Sequence, residues 1–386
     1  MRVDVVLRYV GVVMLFIATF MLLSAGISYL SGVDSAFYPL LLSSLLTALL
    51  GAFPLIFVEK REQITNKEGF CIVVGAWLVA CVVSMFPYLI WGGEFSLVNA
   101  WFESVSGLTT TGSTILNDVE ALPRGLQFWR MSSTWIGGMG VLVFILTLLP
   151  LAGGYHMNLM KAESPGPSVG KLLPKVQSTA KILYKIYIAL TVALIILLLL
   201  GGMPLYDSLC AAFGTAGTGG FGIKSDSMGS YSLYIQIVIT IFMILFGVNF
   251  NAYFLLLMRR FRRAAASEEV RAYFVIIGVA VVIITANIYS MYNGLGEALR
   301  HAAFQVASII STTGYASTDF DQWPEFSRVL LVLLMFIGAC AGSTGGAIKC
   351  SRVLILLRCI RREVRQVIHP RAVNVVKLDG HVLEES

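Results

Sequence analysis

Three short segments of this chain combine threonine and glycine in a way that could bind a cation through backbone carbonyl groups. Glycine readily adopts left-handed conformations, so the carbonyl groups beside it can point in one direction. A ring of such carbonyls can replace the hydration shell of a monovalent cation. The candidate ligands are Thr110, Thr111 and Gly112, then Thr218, Gly219 and Gly220, and finally Thr312, Thr313 and Gly314.

These segments recur at one position of a longer repeated unit. Residues 101–114, 209–222 and 303–316 each begin with a moderately apolar stretch that is half as long as a membrane span. We call the glycines that occupy the same position in the three segments, Gly112, Gly220 and Gly314, the filter-position glycines. They are 108 and 94 residues apart. The predicted unit is a span, a half-length helix, a Thr/Gly loop and a second span. Glycine-rich turns without a binding role are the alternative, although three matching copies argue against them.

The composition indicates the environment in which these units lie. The chain has 386 residues, a mean hydropathy of +0.80, 57% hydrophobic residues and 13% charged residues. Soluble domains contain about 25% charged residues, and disordered chains are poor in large apolar residues, so both classes are excluded. We predict an all-α polytopic membrane protein with eight spans, at about 8–31, 36–58, 70–92, 128–152, 180–202, 230–258, 270–293 and 326–358.

The distribution of lysine and arginine predicts the orientation of these spans. Loops on one side carry a net charge of +12 and loops on the other side carry −6. Because cytoplasmic loops are rich in basic residues, we expect both termini in the cytoplasm and the three Thr/Gly loops near the outer face. The basic loops are topology signals or, alternatively, a docking surface for a cytoplasmic partner. They lack interleaved aromatic residues, so nucleic acid is not an expected partner.

Enzymatic chemistry is not indicated by any motif. The six cysteines include no CxxC pair and the four histidines are scattered, so neither a zinc site nor a disulfide framework is expected. The sequence has no P-loop and no dinucleotide-binding fingerprint. We therefore expect no cofactor in this chain, and any nucleotide would bind to a partner subunit.

The last predicted span is interrupted by glycine. Gly342, Gly345 and Gly346 lie within five residues, and each glycine inside a helix costs about 1 kcal/mol relative to alanine. An unwound segment is predicted, with close packing of small residues as the alternative. Lys349 follows directly. Its charge either extends to the cytoplasmic face or lies along an ion exit path.

Several other residues carry weaker expectations. Asn249 and Asn251 are expected to form hydrogen bonds between helices rather than to bind ions. Gly137, Gly138 and Gly140 should allow a loop to approach closely. Glu103 and Asp207 are expected at the beginnings of half-length helices, where a carboxylate is stabilising; cation capture is the alternative for both.

These motifs resemble a known family. The three Thr/Gly loops are similar to the degenerate filters of the Trk/Ktr/HKT superfamily of potassium transporters. Further stretches resemble the TrkH/TrkG type, as do the two additional N-terminal spans. The stretches concerned are residues 135–140, 162–167, 249–251, 342–349 and 369–373.

The resemblance implies a potassium uptake protein of the plasma membrane. Proteins of this family have four pore repeats around a pseudo-fourfold axis, assemble as homodimers, and are regulated by a cytoplasmic nucleotide-binding TrkA-like ring. It implies that K+ is bound at Thr111, Gly112, Gly219, Gly220, Thr313 and Gly314. The interrupted segment would be a gating loop below the filter, with Gly342, Gly345, Gly346 and Lys349 as its functional positions.

One departure from the family concerns the number of repeats. We divide the chain into a two-span domain (1–68), repeat 1 (69–155), a cytoplasmic loop (156–178), repeat 2 (179–264), repeat 3 (265–362) and a cytoplasmic tail (363–386). A fourth repeat is expected from another polypeptide or further sequence. The alternatives for function are a sodium-permeable or poorly selective transporter and a non-conducting subunit.

Overall fold

The structure is a computed structural model that describes residues 2–59, 65–138, 140, 176–369, 375–379 and 381–382. Within these ranges the protein is built from α-helices, with two short 3-10 helices (Tyr289–Met291 and Phe320–Gln322) and an antiparallel hairpin of two two-residue strands near residue 380. The first seven helices are α1 (Val3–Leu30), α2 (Phe37–Phe57), α3 (Asn66–Ser84), α4 (Phe86–Trp91), α5 (Leu97–Leu108), α6 (Arg124–Gly138) and α7 (Val176–Leu200). The next eight are α8 (Leu205–Ala216), α9 (Leu233–Phe246), α10 (Phe250–Leu257), α11 (Phe261–Ala266), α12 (Glu268–Ile288), α13 (Leu295–Ile310), α14 (Glu325–Phe336) and α15 (Cys350–Ile368).

Five helical stretches of the described residues are long and apolar enough to cross a membrane. They are Val3–Leu30, Phe37–Phe57, Lys67–Trp91, Lys181–Leu200 and Glu268–Met291. Each corresponds to a span predicted from the sequence. The predicted fourth span begins as α6, and its remainder after residue 140 lies outside the described residues. The predicted sixth and eighth spans differ from continuous helices.

The prediction of one continuous helix over 230–258 is wrong. The chain there forms α9 and α10, which are bent by 92° relative to each other. The break falls at Gly247, where a Cβ would lie 2.2 Å from the Tyr273 hydroxyl oxygen. Asn249 then begins α10, because its side-chain oxygen accepts a hydrogen bond from the Asn251 amide. Asn249 is therefore a helix cap at a broken span.

The interruption predicted in the last span is present. Helix α14 ends at Phe336 and α15 begins at Cys350, so residues 337–349, which we call the glycine-rich segment, leave the helical path. Gly342 has a φ of +69°, a conformation that stops a right-handed helix. The segment turns back on itself, because the Gly338 amide donates to the Ile348 carbonyl at 2.8 Å.

Each Thr/Gly loop is preceded by a helix that is too short to span a membrane. Helices α5 and α8 have 12 residues each and α13 has 16. A 12-residue helix extends about 18 Å, which is little more than half of the hydrocarbon thickness. Ser96 begins α5 by accepting a hydrogen bond from the Asn99 amide, and Pro204 directly precedes α8.

The buried apolar side chains form three main clusters. One contains the two N-terminal helices together with α3 to α6, where α1 and α2 cross closely at Gly11 and Gly51. A second surrounds α7 to α10, and a third surrounds α12 to α15. The N-terminal helices thus share a core with the first repeat. The division into six segments made from the sequence stays a prediction.

The C-terminal hairpin is attached to the beginning of α12. Strand β1 (Lys377–Leu378) pairs with β2 (His381–Val382). The Glu268 amide donates to the Asp379 carboxylate at 2.7 Å, and the Glu268 carboxylate forms an ion pair with Arg358 at 2.7 Å.

Candidate functional site: three Thr/Gly loops and a glycine-rich segment

The three Thr/Gly loops have the same backbone conformation. We call residues 109–114 loop 1, residues 217–222 loop 2 and residues 311–316 loop 3. In each loop a threonine and the glycine two positions later have positive φ. The angles are 56° and 76° at Thr110 and Gly112, 50° and 66° at Thr218 and Gly220, and 60° and 83° at Thr312 and Gly314. The sequence predicted this freedom for the glycines but not for the threonines, which adopt such angles rarely.

Each loop is also bonded to its own short helix in the same way. The residue just before the filter-position glycine donates its amide hydrogen to a carbonyl near the end of the short helix, five positions earlier in the chain. These bonds join Thr111 to Ser106 at 2.8 Å, Gly219 to Gly214 at 3.0 Å, and Thr313 to Ser308 at 2.8 Å. Because one pattern recurs three times, the repeat found in the sequence extends to the conformation of the backbone.

The loops lie beside one another in chain order. A Cβ on Gly112 would lie 2.1 Å from the carbonyl oxygen of Gly219, and a Cβ on Gly220 would lie 2.1 Å from that of Thr313. Loop 1 therefore contacts loop 2 through backbone atoms, and loop 2 contacts loop 3. A Cβ on Gly314 would meet no atom of the described residues within 4 Å. The described residues thus form an arc of three loops that is open beyond loop 3.

Glycines of α6 allow this close arrangement, as the sequence predicted. A Cβ on Gly137 would lie 2.0 Å from the Leu108 carbonyl oxygen, which ends the first short helix. A Cβ on Gly138 would lie 2.5 Å from the Cα atom of Gly217, which begins loop 2. Helix α6 therefore packs directly against two adjacent loops.

The placement of Glu103 at a helix start is wrong. Glu103 is the seventh residue of α5, because Ser96 begins that helix earlier. Its carboxylate is fully buried and pairs with the equally buried Arg130 at 2.7 Å. It also accepts hydrogen bonds from the Thr114 hydroxyl at 2.9 Å and the Ile115 amide at 3.2 Å. The carboxylate therefore fixes the end of loop 1.

Arg130 is a functional candidate that the sequence does not single out, because there it contributes only to the charge of the outward-facing side. Its guanidinium stacks 4.2 Å from the centre of the Phe221 ring, and its Nη1 atom lies 3.5 Å from the Gly222 carbonyl oxygen. Arg130 thus links loop 1, through Glu103, to loop 2. The available signal was one arginine and one glutamate at membrane depth, because such charges usually pair with each other.

The glycine-rich segment fits into the break between α9 and α10. The Cys340 amide donates to the Gly247 carbonyl at 3.0 Å, and the Phe250 amide donates to the Gly342 carbonyl at 3.0 Å. Two interrupted helices therefore satisfy each other's free backbone groups. This exchange is required because unpaired amides and carbonyls are costly at membrane depth.

The same segment is bonded to threonine hydroxyls of two loops. The Thr218 hydroxyl donates to the Thr344 carbonyl at 3.1 Å, and the Gly346 amide donates to the Thr312 hydroxyl at 2.7 Å. Gly345 also lies against loop 3, since its Cβ would be 2.9 Å from the Ser311 carbonyl oxygen. The predicted gating positions and the predicted filter positions are therefore in direct contact.

Two buried charges also stabilise the segment, one within it and one on α12. Lys349 is 5% exposed, and its ammonium group donates to the Gly345 carbonyl, so it does not extend to the cytoplasmic face. Glu269, on α12, is 4% exposed. Its carboxylate accepts from the Ala341 amide at 2.7 Å and from the Ser351 amide at 3.0 Å. In the sequence, Glu269 contributes only to the charge of a loop.

Comparison with known proteins assigns the chain to a family. Residues 41–386 match the family model of TrkH, which is described as a cation transport protein. The chain belongs to the TrkH family. This is a family of membrane transporters and not of enzymes.

Two potassium uptake proteins of this family resemble the chain over most of its length. It is 36% identical over 333 residues to the Trk system potassium uptake protein TrkH of Salmonella typhimurium, covering 85% of the chain and 69% of that protein. It is 34% identical to TrkH of Vibrio parahaemolyticus, covering 98% and 80%. The crystal structure of the potassium transporter TrkH from Vibrio parahaemolyticus superimposes with a TM-score of 0.86 at 30% identity, covering 99% of this chain and 80% of that one.

Proposed function

We propose that this chain is the ion-translocating subunit of a Trk-type potassium uptake system. The observation that supports this most directly is the shared left-handed conformation of a threonine and a glycine in three adjacent loops. Alternating left-handed and right-handed residues can direct successive carbonyls to one side. K+ would be bound by carbonyls of Thr111, Gly112, Gly219, Gly220, Thr313 and Gly314.

The open side of the arc is part of this proposal. A fourth loop would complete the ring beside Gly314, and it would come from further sequence or from another polypeptide. Four loops would satisfy a pseudo-fourfold axis. A carbonyl ring closed in this way has the number of oxygens that a dehydrated monovalent cation needs.

The glycine-rich segment would act as the gate of this pathway. It lies against loops 2 and 3 and carries three glycines that permit a change of conformation. Opening would break the bonds to Thr218 and Thr312. Lys349 would then present a positive charge to the exit path, or withdraw it, depending on the conformation of the segment.

We also propose the cellular setting. The charge division favours an orientation in which both termini face the cytoplasm, and the membrane would be a bacterial inner membrane. A TrkA-like nucleotide-binding ring would dock on the cytoplasmic side, and two copies of the chain would form a dimer. Nucleotide would act through the ring, since the chain carries no nucleotide-binding motif.

Transport by cells that lack their own potassium uptake systems tests the proposal. The chain is expressed with its genomic neighbours and a TrkA-like subunit, and uptake of K+ and Na+ is measured at low external concentrations. We expect growth and K+ uptake that exceed those of cells with an empty vector. Uptake of Na+ at an equal rate would favour the poorly selective alternative, and absence of both fluxes would favour a non-conducting subunit.

A further inference from the structure

A side-chain hydrogen bond joins loops 1 and 3, but not loop 2, to the short helix that precedes the loop. In loop 1 the Ser106 hydroxyl donates to the Ser113 carbonyl at 2.6 Å. In loop 3 the Ser308 hydroxyl donates to the Tyr315 carbonyl at 2.6 Å. Each acceptor directly follows the filter-position glycine. In each of these loops one serine therefore bonds to both neighbours of the glycine. Its carbonyl accepts from the amide of the residue before the glycine, and its hydroxyl donates to the carbonyl of the residue after it.

Loop 2 has no such serine. The equivalent position is Gly214, which accepts the backbone bond but has no hydroxyl to donate. The equivalent acceptor, the Phe221 carbonyl, instead receives a hydrogen bond from the Tyr315 hydroxyl at 3.1 Å. A Cβ on Gly214 would lie 2.1 Å from that hydroxyl oxygen. The tyrosine hydroxyl thus occupies the space in which a serine would stand.

The position of Tyr315 is fixed by the repeat that it serves. Tyr315 is 1% exposed. The amide of the following residue, Ala316, donates to the Ser227 hydroxyl at 3.1 Å, and the Ala316 carbonyl accepts from the Met228 amide at 2.9 Å. These bonds join loop 3 to the chain that follows loop 2. The phenol therefore reaches the Phe221 carbonyl from a backbone that cannot shift independently.

We propose that Tyr315 is a positioning residue for loop 2 and that Gly214 is glycine in order to admit its hydroxyl. The proposal deepens the proposed function, because it makes the carbonyl geometry of loop 2 depend on a side chain of loop 3. The bonded Phe221 carbonyl lies beside α8, since a Cβ on Gly214 would be 3.0 Å from its oxygen. This holds Gly219 and Gly220 between two fixed points, as the serines do in the other loops.

An exchange of the hydroxyl between the two positions tests this pairing. Tyr315→Phe removes the hydroxyl and retains the ring, so we expect the preference for K+ over Na+ to fall by roughly three- to tenfold, which corresponds to one buried hydrogen bond. Gly214→Ser alone places a Cβ against the hydroxyl and should impair both ion preference and stability. The double variant removes the hydroxyl and restores a donor on α8, although the Phe221 carbonyl oxygen at 3.0 Å and the ring carbon at 3.2 Å must still shift slightly to admit the new Cβ. Both properties should therefore be better than in Gly214→Ser, with partial recovery toward the unmodified protein.

The controls separate positioning from general destabilisation. Tyr206→Phe removes another hydroxyl that donates to a carbonyl, that of Arg124, outside the three loops, and should leave ion preference unchanged. Ser308→Ala removes the equivalent bond of loop 3 and should reduce the preference as Tyr315→Phe does. An unaltered preference in Tyr315→Phe, or a double variant no better than Gly214→Ser, would overturn the inference.

A second measurement distinguishes failure of this inference from failure of the proposed function. Melting temperatures of the purified proteins are compared in KCl and NaCl at equal ionic strength. If K+ protects the unmodified protein no more than Na+ in a complex that supplies the fourth loop, the potassium filter is wrong. The melting temperatures then decide the pairing by themselves, because the double variant should still melt above Gly214→Ser. Equal or lower melting would overturn the pairing even where potassium binding is intact.

Discussion

The Thr/Gly loops and the glycine-rich segment are both irregular backbone in the interior of the protein, but they are held in different ways. Each loop has a backbone bond to the short helix that precedes it, within a few residues of the same chain segment, and loop 2 also accepts a bond from Tyr315 of loop 3. The glycine-rich segment is bonded largely to other elements, including the Gly247 carbonyl, the Glu269 carboxylate and the Thr312 hydroxyl. A structure held locally stays formed when its neighbours move. One held by distant partners can be released when a partner moves.

This difference suits the two roles proposed for them. A filter must keep its carbonyl spacing to discriminate between ions, so local bonds are appropriate. A gate must adopt two arrangements of similar free energy, so dependence on several partners is appropriate. Substitutions should therefore damage selectivity in the loops and alter opening in the glycine-rich segment.

The largest effect is expected for Gly220→Ser. Gly220 has a φ of +66°, and left-handed geometry costs other residues about 1–2 kcal/mol. In addition, its Cβ would lie 2.1 Å from the Thr313 carbonyl oxygen. We expect loss of most high-affinity K+ uptake by a conducting complex, measured as uptake against external concentration, while membrane insertion stays normal.

The control for this substitution is Gly278→Ser, in the middle of α12. A Cβ there would meet nothing within 4 Å among the described residues, and its φ is not positive. Gly201 is less suitable, although it lies at the end of a span in repeat 2, because its Cβ would lie 2.5 Å from the Tyr234 ring. Equal uptake by the Gly220 and Gly278 variants would show that loop 2 is not part of the filter.

The next effect is expected for Glu269→Ala. Removal of the carboxylate leaves the Ala341 and Ser351 amides without their acceptor, at a cost of about 1–3 kcal/mol for each buried group. The glycine-rich segment should be released, and K+ should leak through reconstituted vesicles under conditions that close the unmodified complex. Glu269→Gln retains an oxygen acceptor and should leak less. A fall in ion preference without any leak would contradict the contrast between the two regions.

A smaller effect of the same kind is expected for Lys349→Met. The ammonium group donates one bond to the Gly345 carbonyl within the segment, so its removal loosens a single turn. Leak through the closed complex should increase, but less than in Glu269→Ala. Arg352→Met, at an exposed position of α15 just after the segment, is the matched control. If the Arg352 variant leaked equally, the effect would reflect cytoplasmic charge rather than the segment.

The smallest effect is expected for Gly314→Ala in the isolated chain. Gly314 has a φ of +83°, but its Cβ would meet no described atom, so only backbone strain opposes the substitution. The melting temperature should fall less than in Gly220→Ala, which adds a steric conflict. In a complex that supplies a fourth loop, the two variants should become equally damaging to transport. Equal melting of the two variants in the isolated chain would show that the arc is not open.

Much of the fold could be predicted because it depends on local composition. Long apolar stretches specify spans, half-length stretches specify the short helices, and three glycines within five residues interrupt a helix wherever it lies. The break between α9 and α10 was not predicted, since Gly247 and Asn249 are compatible with a continuous span. It forms because the glycine-rich segment, almost 100 residues later, supplies partners for the free backbone groups.

The sequence by itself determined the class of protein, the three Thr/Gly loops and the residues from which a gate could be built. Only the tertiary structure decided how these parts are joined. Three of these contacts connect residues that are 27 to 94 positions apart in the chain. They are the ion pair of Glu103 with Arg130, the hydrogen bond from the Ala341 amide to Glu269, and the hydrogen bond from Tyr315 to Phe221. Local preference carries no information about such partners, because a buried polar group can be satisfied by any donor or acceptor that the fold brings within reach.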